Sequence, residues 1–175
     1  MKLRSSLSTK ALSLYYTLYI RPVLEYASLA WPCLPAYLTD RLERFQRRAA
    51  KIILRLPLFE SSDHDAILLK IGWPSLKSRR QYQAALLGFY LAKGKVPQHL
   101  LTETYPRRHA DRNLRSSAYF DLPTPSTLLY QTSPLYFASS TFNSLPKSLQ
   151  IIENTNSFKQ KAYQHSIPNL SLHAA

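Results

Sequence analysis

Metal-dependent or nucleophilic chemistry needs carboxylates, imidazoles or thiolates that converge, and the densest run of such groups in these 175 residues is Asp63-His64-Asp65. It stands directly before an apolar run, where two acids serve as favourable charges for a helix N-terminus. The histidines, His64, His99, His109, His165 and His173, are dispersed without ligand spacing and are expected at the surface. Cys33 is the single cysteine, so the chain can build neither an internal disulfide nor a cysteine-based zinc site. Lying between Pro32 and Pro35 with no base nearby, it is expected as a buried structural thiol. Gly72, Gly88 and Gly94 stand too far apart for a phosphate-cradling loop. The expectation is therefore no catalytic residue, no metal, no cofactor and no small-molecule substrate.

Charge points elsewhere. The chain carries 23 Lys and Arg against 10 Asp and Glu, a formal net charge of +13. Such an imbalance is self-repulsive unless a polyanion offsets it, which makes an RNA or DNA backbone the expected partner. The candidate contacts are Arg41, Arg44, Arg48, Lys51 and Arg55, which recur at helical spacing and form a stripe about 80° wide. Trp31, Tyr26 and Trp73 could stack on bases, but at predicted helix ends they are expected in the core. The apolar stretch from Ala11 to Trp31 is broken by Arg21, Pro22 and Glu25, so no membrane segment and no export signal is read. With one cysteine, an intracellular location, cytoplasmic or nuclear, is expected.

The elements that must carry the stripe follow from periodicity. Leu12, Tyr15, Leu18 and Tyr19 predict an amphipathic helix from Thr9 to Ile20, capped by Ser8 or Thr9 and continued past Pro22 as a kink or second helix to Trp31. Leu38, Leu42, Phe45, Ala49, Ile52 and Leu56 predict one core seam, with Asp40 and Glu43 as its capping pair and the basic stripe alongside. On that reading Phe45 and Ile52 are costly to truncate and Glu43 is not. A short helix after Ser62 (Ile67, Leu68, Ile71) leads to a Gly72-Trp73-Pro74 turn, then a long helix opened by Ser75 and stopped at Gly94. Pro97 to Leu101 adds one turn. Residues 104 to 132 read as irregular, with Tyr119, Phe120 and Leu122 hinting at an extended piece, before short helices at Pro134 to Asn143 and Ser157 to Ser166. The expected fold is mainly α: a small helical bundle over 8–102, an irregular Pro-rich connection over 103–133, and a C-terminal helical segment over 134–167. Glu25 is expected to pair with an arginine inside the fold.

Three separated strings then resemble a known family. They are Leu18-Tyr19-Ile20-Arg21-Pro22-Val23-Leu24-Glu25-Tyr26 leading to Ala30-Trp31, Leu42-Glu43-Arg44-Phe45-Gln46-Arg47-Arg48-Ala49, and Phe142-Asn143-Ser144-Leu145-Pro146 followed by Ser157-Phe158-Lys159. In this order and spacing they resemble the region after the polymerase palm in jockey-like LINE-type (non-LTR) retrotransposon reverse transcriptases. The resemblance covers about Leu12 to Tyr163; one departure is Phe142, where the family usually has Trp. It implies a thumb-like, template- and primer-gripping fragment that lacks the catalytic Asp-Asp pair and is not an enzyme by itself. It also implies former contact with other polymerase domains, or self-association in their absence. Alternatives are a protein-interaction module docking through the Leu38 to Leu56 helix, or a non-functional remnant of a decayed element.

Overall fold

The computed structural model describes residues 7–30, 34–58, 64–106 and 119–167. Trp31, Cys33, Ser62, Asp63, His109 and His173, as well as the side chain of His64, lie outside the described residues. The fold is mainly α, and among the described residues there is no strand, only an isolated bridge at Phe120. No described helix is long and apolar enough to cross a membrane.

Two compact units emerge. Of the described residues, those in Met1–Ser28, Leu34–Arg79 and Ile167–Ala175 form the first, and those in Leu29–Cys33 and Arg80–Ser166 the second. The boundary thus falls inside the long helix, not at residue 102. A division read from loss of periodicity misses this, because a helix can leave one core and enter another without any break in its pattern.

The first unit begins with α1 (Thr9–Tyr15), capped by Ser8, whose Oγ accepts from Ala11 N–H at 3.2 Å. A π turn (Tyr16–Ile20) joins it to α2 (Arg21–Glu25). Pro22 explains the widened turn: a proline ring clashes with the carbonyl four residues earlier and donates nothing to it. The Arg21 N–H accordingly reaches five residues back, to the Tyr16 carbonyl. The wider turn keeps Leu12, Tyr16, Ile20 and Leu24 in one line, and these residues face the core. Tyr15, Leu18 and Tyr19, expected inward, point out. The helix also stops at Glu25 instead of running to Trp31, with Ala27 in the left-handed region at φ 49°.

Helix α3 (Ala36–Ile53) and α4 (His64–Ile71) pack together and complete this core with Ala50, Ile53, Ile67, Leu68 and Trp73. The Trp73 ring stacks on Tyr16 at 4.1 Å and its Nε1 donates to Ser13 Oγ at 3.2 Å. Trp73 is therefore core, as expected, whereas Tyr26 is 80% exposed. Helix α4 carries Asp65 in its first turn, consistent with the dipole role expected for that acid. Gly72, at φ 73°, closes α4 with Trp73 N–H on the Leu68 carbonyl at 2.9 Å.

Helix α5 (Leu76–Ala92) is capped by Ser75, whose Oγ accepts from Ser78 N–H at 3.1 Å, and stops at Gly94. Its second part opens the other core, where Phe89, Phe120, Phe142 and Phe158 are fully buried among Ala85, Ala92, Ala138, Leu149 and Ala162. Around them lie α6 (Gln98–Thr102), α7 (Leu128–Gln131), α8 (Pro134–Ser144), α9 (Lys147–Gln150) and α10 (Thr155–Ser166). Gly88 is where α5 and α8 approach: a Cβ there would lie 2.6 Å from the Ala138 carbonyl oxygen and 2.6 Å from Phe142 Cβ. The stretch expected as a connection contributes Phe120 to this core, so 103–133 is not a spacer among its described residues.

The Asn-Ser-Leu-Pro string has a structural role here. Asn143 Oδ1 accepts from Tyr119 N–H at 2.9 Å and Phe120 N–H at 2.8 Å, while Nδ2 donates to the Phe120 carbonyl at 2.9 Å. Pro146 opens α9, and Gln150 Nε2 returns to the carbonyls of Phe142, Asn143 and Leu145 at the end of α8. Two amide side chains thereby satisfy backbone groups that no ladder serves.

Candidate nucleic-acid interface

Helix α3 starts at Ala36, with Pro35 at its N-cap, so Asp40 and Glu43 are interior positions and not a capping pair. Its buried line is Glu43, Gln46, Ala50 and Ile53. At about 100° per residue this line is turned by about 100° from the Leu38-to-Leu56 seam expected from hydrophobic spacing. Phe45, the centre of that seam, is 50% exposed, and Leu38, Leu42, Ala49, Ile52 and Leu56 are half-buried.

Polar contacts distant in sequence set the rotation. Glu43 is 9% exposed, and its Oε1 accepts from Lys77 N–H at 2.9 Å, in the first turn of α5. Gln46 is buried and its Nε2 donates to the Pro74 carbonyl at 3.0 Å. Together with the Ser75 cap, Glu43 satisfies N–H groups that a helix start leaves without partners, and it brings negative charge to the positive dipole end. Glu25 is likewise used inside the unit, bridging to Arg79 through Oε1 to Nε and through Oε2 to Nη2 at 2.9 Å. The expected Glu25–Arg pair is present.

The rotation moves the cationic stripe from beside the core to the side opposite it. Arg41, Arg44 and Arg48 are exposed, and among the described residues none forms an ion pair; Arg44 Nε donates only to the Asp40 carbonyl at 3.3 Å. Lys51 leaves the set because it is buried at 6% exposure. Arg55 leaves it as well: the helix has ended, and Arg55 occupies the left-handed turn at φ 58°, with Leu56 N–H on the Lys51 carbonyl at 2.9 Å. Five expected contacts thus reduce to three that share one solvent face. Helical spacing does not carry past Ile53, so it no longer fixes the face of the exposed Arg55, and no local signal marks Lys51 as inward.

Sequence spacing gave no weight to Tyr37, which is 66% exposed on the same outward face. The available signal was its position one turn before Arg41. Elsewhere in the first unit, the Tyr16 hydroxyl is buried without a partner, and burial pushes its pKa up to about 12 despite the opposing Arg21 guanidinium. No group of three or more His, Cys, Asp or Glu side chains able to hold a metal occurs among the described residues.

Comparison with protein-family models, with curated proteins and with solved structures returns no match.

Proposed function

We propose that this chain is a nucleic-acid-binding fragment of a LINE-type retrotransposon reverse transcriptase, following the palm and without polymerase activity of its own. The family part of the reading rests on the three ordered strings. The binding part rests on one observation: α3 turns its acid Glu43 inward and Arg41, Arg44 and Arg48 outward, leaving a cationic face whose nearest glutamate is occupied. Guanidinium groups one turn apart can neutralise successive phosphates, releasing counterions as they do so. Such contacts hold a backbone without reading sequence.

Replacing Arg41, Arg44 and Arg48 together by Gln keeps side-chain length and helix propensity while removing charge. Binding of labelled RNA and DNA, followed by fluorescence anisotropy over a salt series, should weaken, and the slope of log affinity against log salt should shrink by about 2 to 3. Unchanged affinity and slope in a folded triple variant would end the proposal. Primer extension with template, primer, nucleotides and magnesium should give no product; extension by the purified chain would overturn the non-enzymatic part.

A second reading, a protein-interaction surface, is favoured by a different edge from the one expected. Leu14, Tyr15, Leu18, Tyr19, Val23 and Tyr26 are all exposed along α1, the π turn, α2 and the residue after it. An apolar row of that length in water favours association with another polymerase domain or a second copy. Sedimentation that stays monomeric at every concentration would count against the second copy.

A further inference from the structure

Tyr37 and Phe45 stand about 12 Å apart along α3, and at about 100° per residue they share an arc of about 100° with Arg41, Arg44 and Arg48. Along the helix the order is ring, guanidinium, guanidinium, ring, guanidinium. Both rings are at least half in water, and neither makes a ring contact among the described residues, whereas Tyr16, Trp73, Phe89 and Phe158 are paired face to face. The fold leaves about two thirds of Tyr37 and half of Phe45 in water, next to the cations that form no ion pair among the described residues.

This combination selects among nucleic acids. Arginines alone serve a duplex and a single strand equally well, because both present phosphates. Aromatic rings add affinity only where a base face is open; in a duplex the faces are stacked on one another, and in a single strand they are free. Resting on the nucleic-acid reading above, we propose that the outward face of α3 takes single-stranded nucleic acid, with unpaired bases stacked on Tyr37 and Phe45 and the intervening phosphates held by Arg41, Arg44 and Arg48. Charge complementarity to phosphate and two open stacking platforms on one face point to this occupant.

The test compares a fluorescein-labelled oligothymidine of about 16 nucleotides with a duplex of equal length, using the full chain. The Tyr37→Ala/Phe45→Ala variant should lose about tenfold or more per ring for the single strand, while duplex affinity and both salt slopes stay within about twofold of the starting protein. The Arg41→Gln/Arg44→Gln/Arg48→Gln variant should weaken both ligands. A Tyr37→Trp variant in a Trp31→Phe background supplies a readout independent of truncation: its emission in excess of that of the buried Trp73 should be quenched by the single strand and not by the duplex. Equal losses for the two ligands in the ring variant, or no loss, would overturn the stacking proposal while a weakened arginine variant kept the nucleic-acid reading intact. No binding by the starting protein, or no effect of the arginine variant, would remove both.

Discussion

Truncating Glu43 should destabilise the first unit more than truncating Phe45, although hydrophobic spacing along α3 implies the reverse. Glu43 is nearly buried and gives a carboxylate oxygen to Lys77 N–H at 2.9 Å, at the start of α5. A hydrogen bond to a charged group is worth about 1.5–3 kcal/mol, and loss of a helix-start acceptor costs about 0.5–2 kcal/mol. These describe the same contact and do not add, so Glu43→Ala should cost about 2 kcal/mol. Full burial of a phenylalanine contributes about 1.5–3 kcal/mol, and half of it at a site that can leave no closed cavity comes to about 1 kcal/mol or less for Phe45→Ala. Urea unfolding followed by Trp73 emission in a Trp31→Phe background reports on the core beneath α3, because Trp73 is stacked on Tyr16 there. With m about 2 kcal/mol/M, the midpoint should fall by about 1 M for Glu43→Ala and by less than about half that for Phe45→Ala. Glu43→Gln should lie between, retaining the acceptor and losing the charge. A larger midpoint loss for Phe45→Ala than for Glu43→Ala would refute the rotation of α3 and restore the seam centred on Phe45.

Gly88→Ala should destabilise the second unit by about 2 kcal/mol despite a gain of about 1 kcal/mol in helix propensity, since the new methyl meets the Ala138 backbone oxygen, which no rotamer change can move; thermal melts that rise would contradict the close approach. Arg55→Gly should stabilise by about 0.5–1 kcal/mol, because φ 58° suits glycine and the helix-ending bond from Leu56 N–H is kept; a lower urea midpoint would count against it. Tyr16 binds its proton more tightly folded than unfolded, so stability held below about pH 10 is lost as pH rises towards about 12, by at most about 2–3 kcal/mol. Tyr16→Phe should remove that portion of the alkaline loss and be neutral or slightly stabilising at pH 7, as the hydroxyl has no partner; identical alkaline profiles for the two proteins would refute it.

Much of the fold was legible because local rules governed it. Gly94, Ser75, Pro134 and the Phe158/Ala162 pair each acted within one or two turns of their own position, and the helices they delimit formed as their spacing implied. Facing was less legible than existence. In α3 the long apolar residues suggested one core side, yet two polar side chains with partners 28 and 34 residues away fixed another. In the first helix, a proline-induced π turn shifted the inward line from Tyr15 and Tyr19 to Tyr16 and Ile20, a change that no fixed 3.6-residue period detects. The same two causes altered the candidate interface, withdrawing Lys51 and Arg55 and adding Tyr37. The second core escaped notice because Phe120 joins it from a segment with no period of its own.

The clasp of Asn143 on residues 119 and 120 has a consequence for exchange with solvent. Amide hydrogens in an irregular segment ordinarily exchange on the timescale of local opening, close to the free-chain rate. Those of Tyr119 and Phe120 are bonded to one side-chain oxygen whose own amide group holds the Phe120 carbonyl, beside a fully buried ring. They cannot reach deuterium unless the clasp opens, and the clasp is anchored in α8. An island of slow exchange at 119 and 120 should therefore match the rate of α8 and not that of the neighbouring exposed Thr124 and Ser126. In Asn143→Ala that island should disappear while α5 keeps its protection. If residues 119 and 120 exchanged quickly in the unaltered protein, the clasp would not persist in solution.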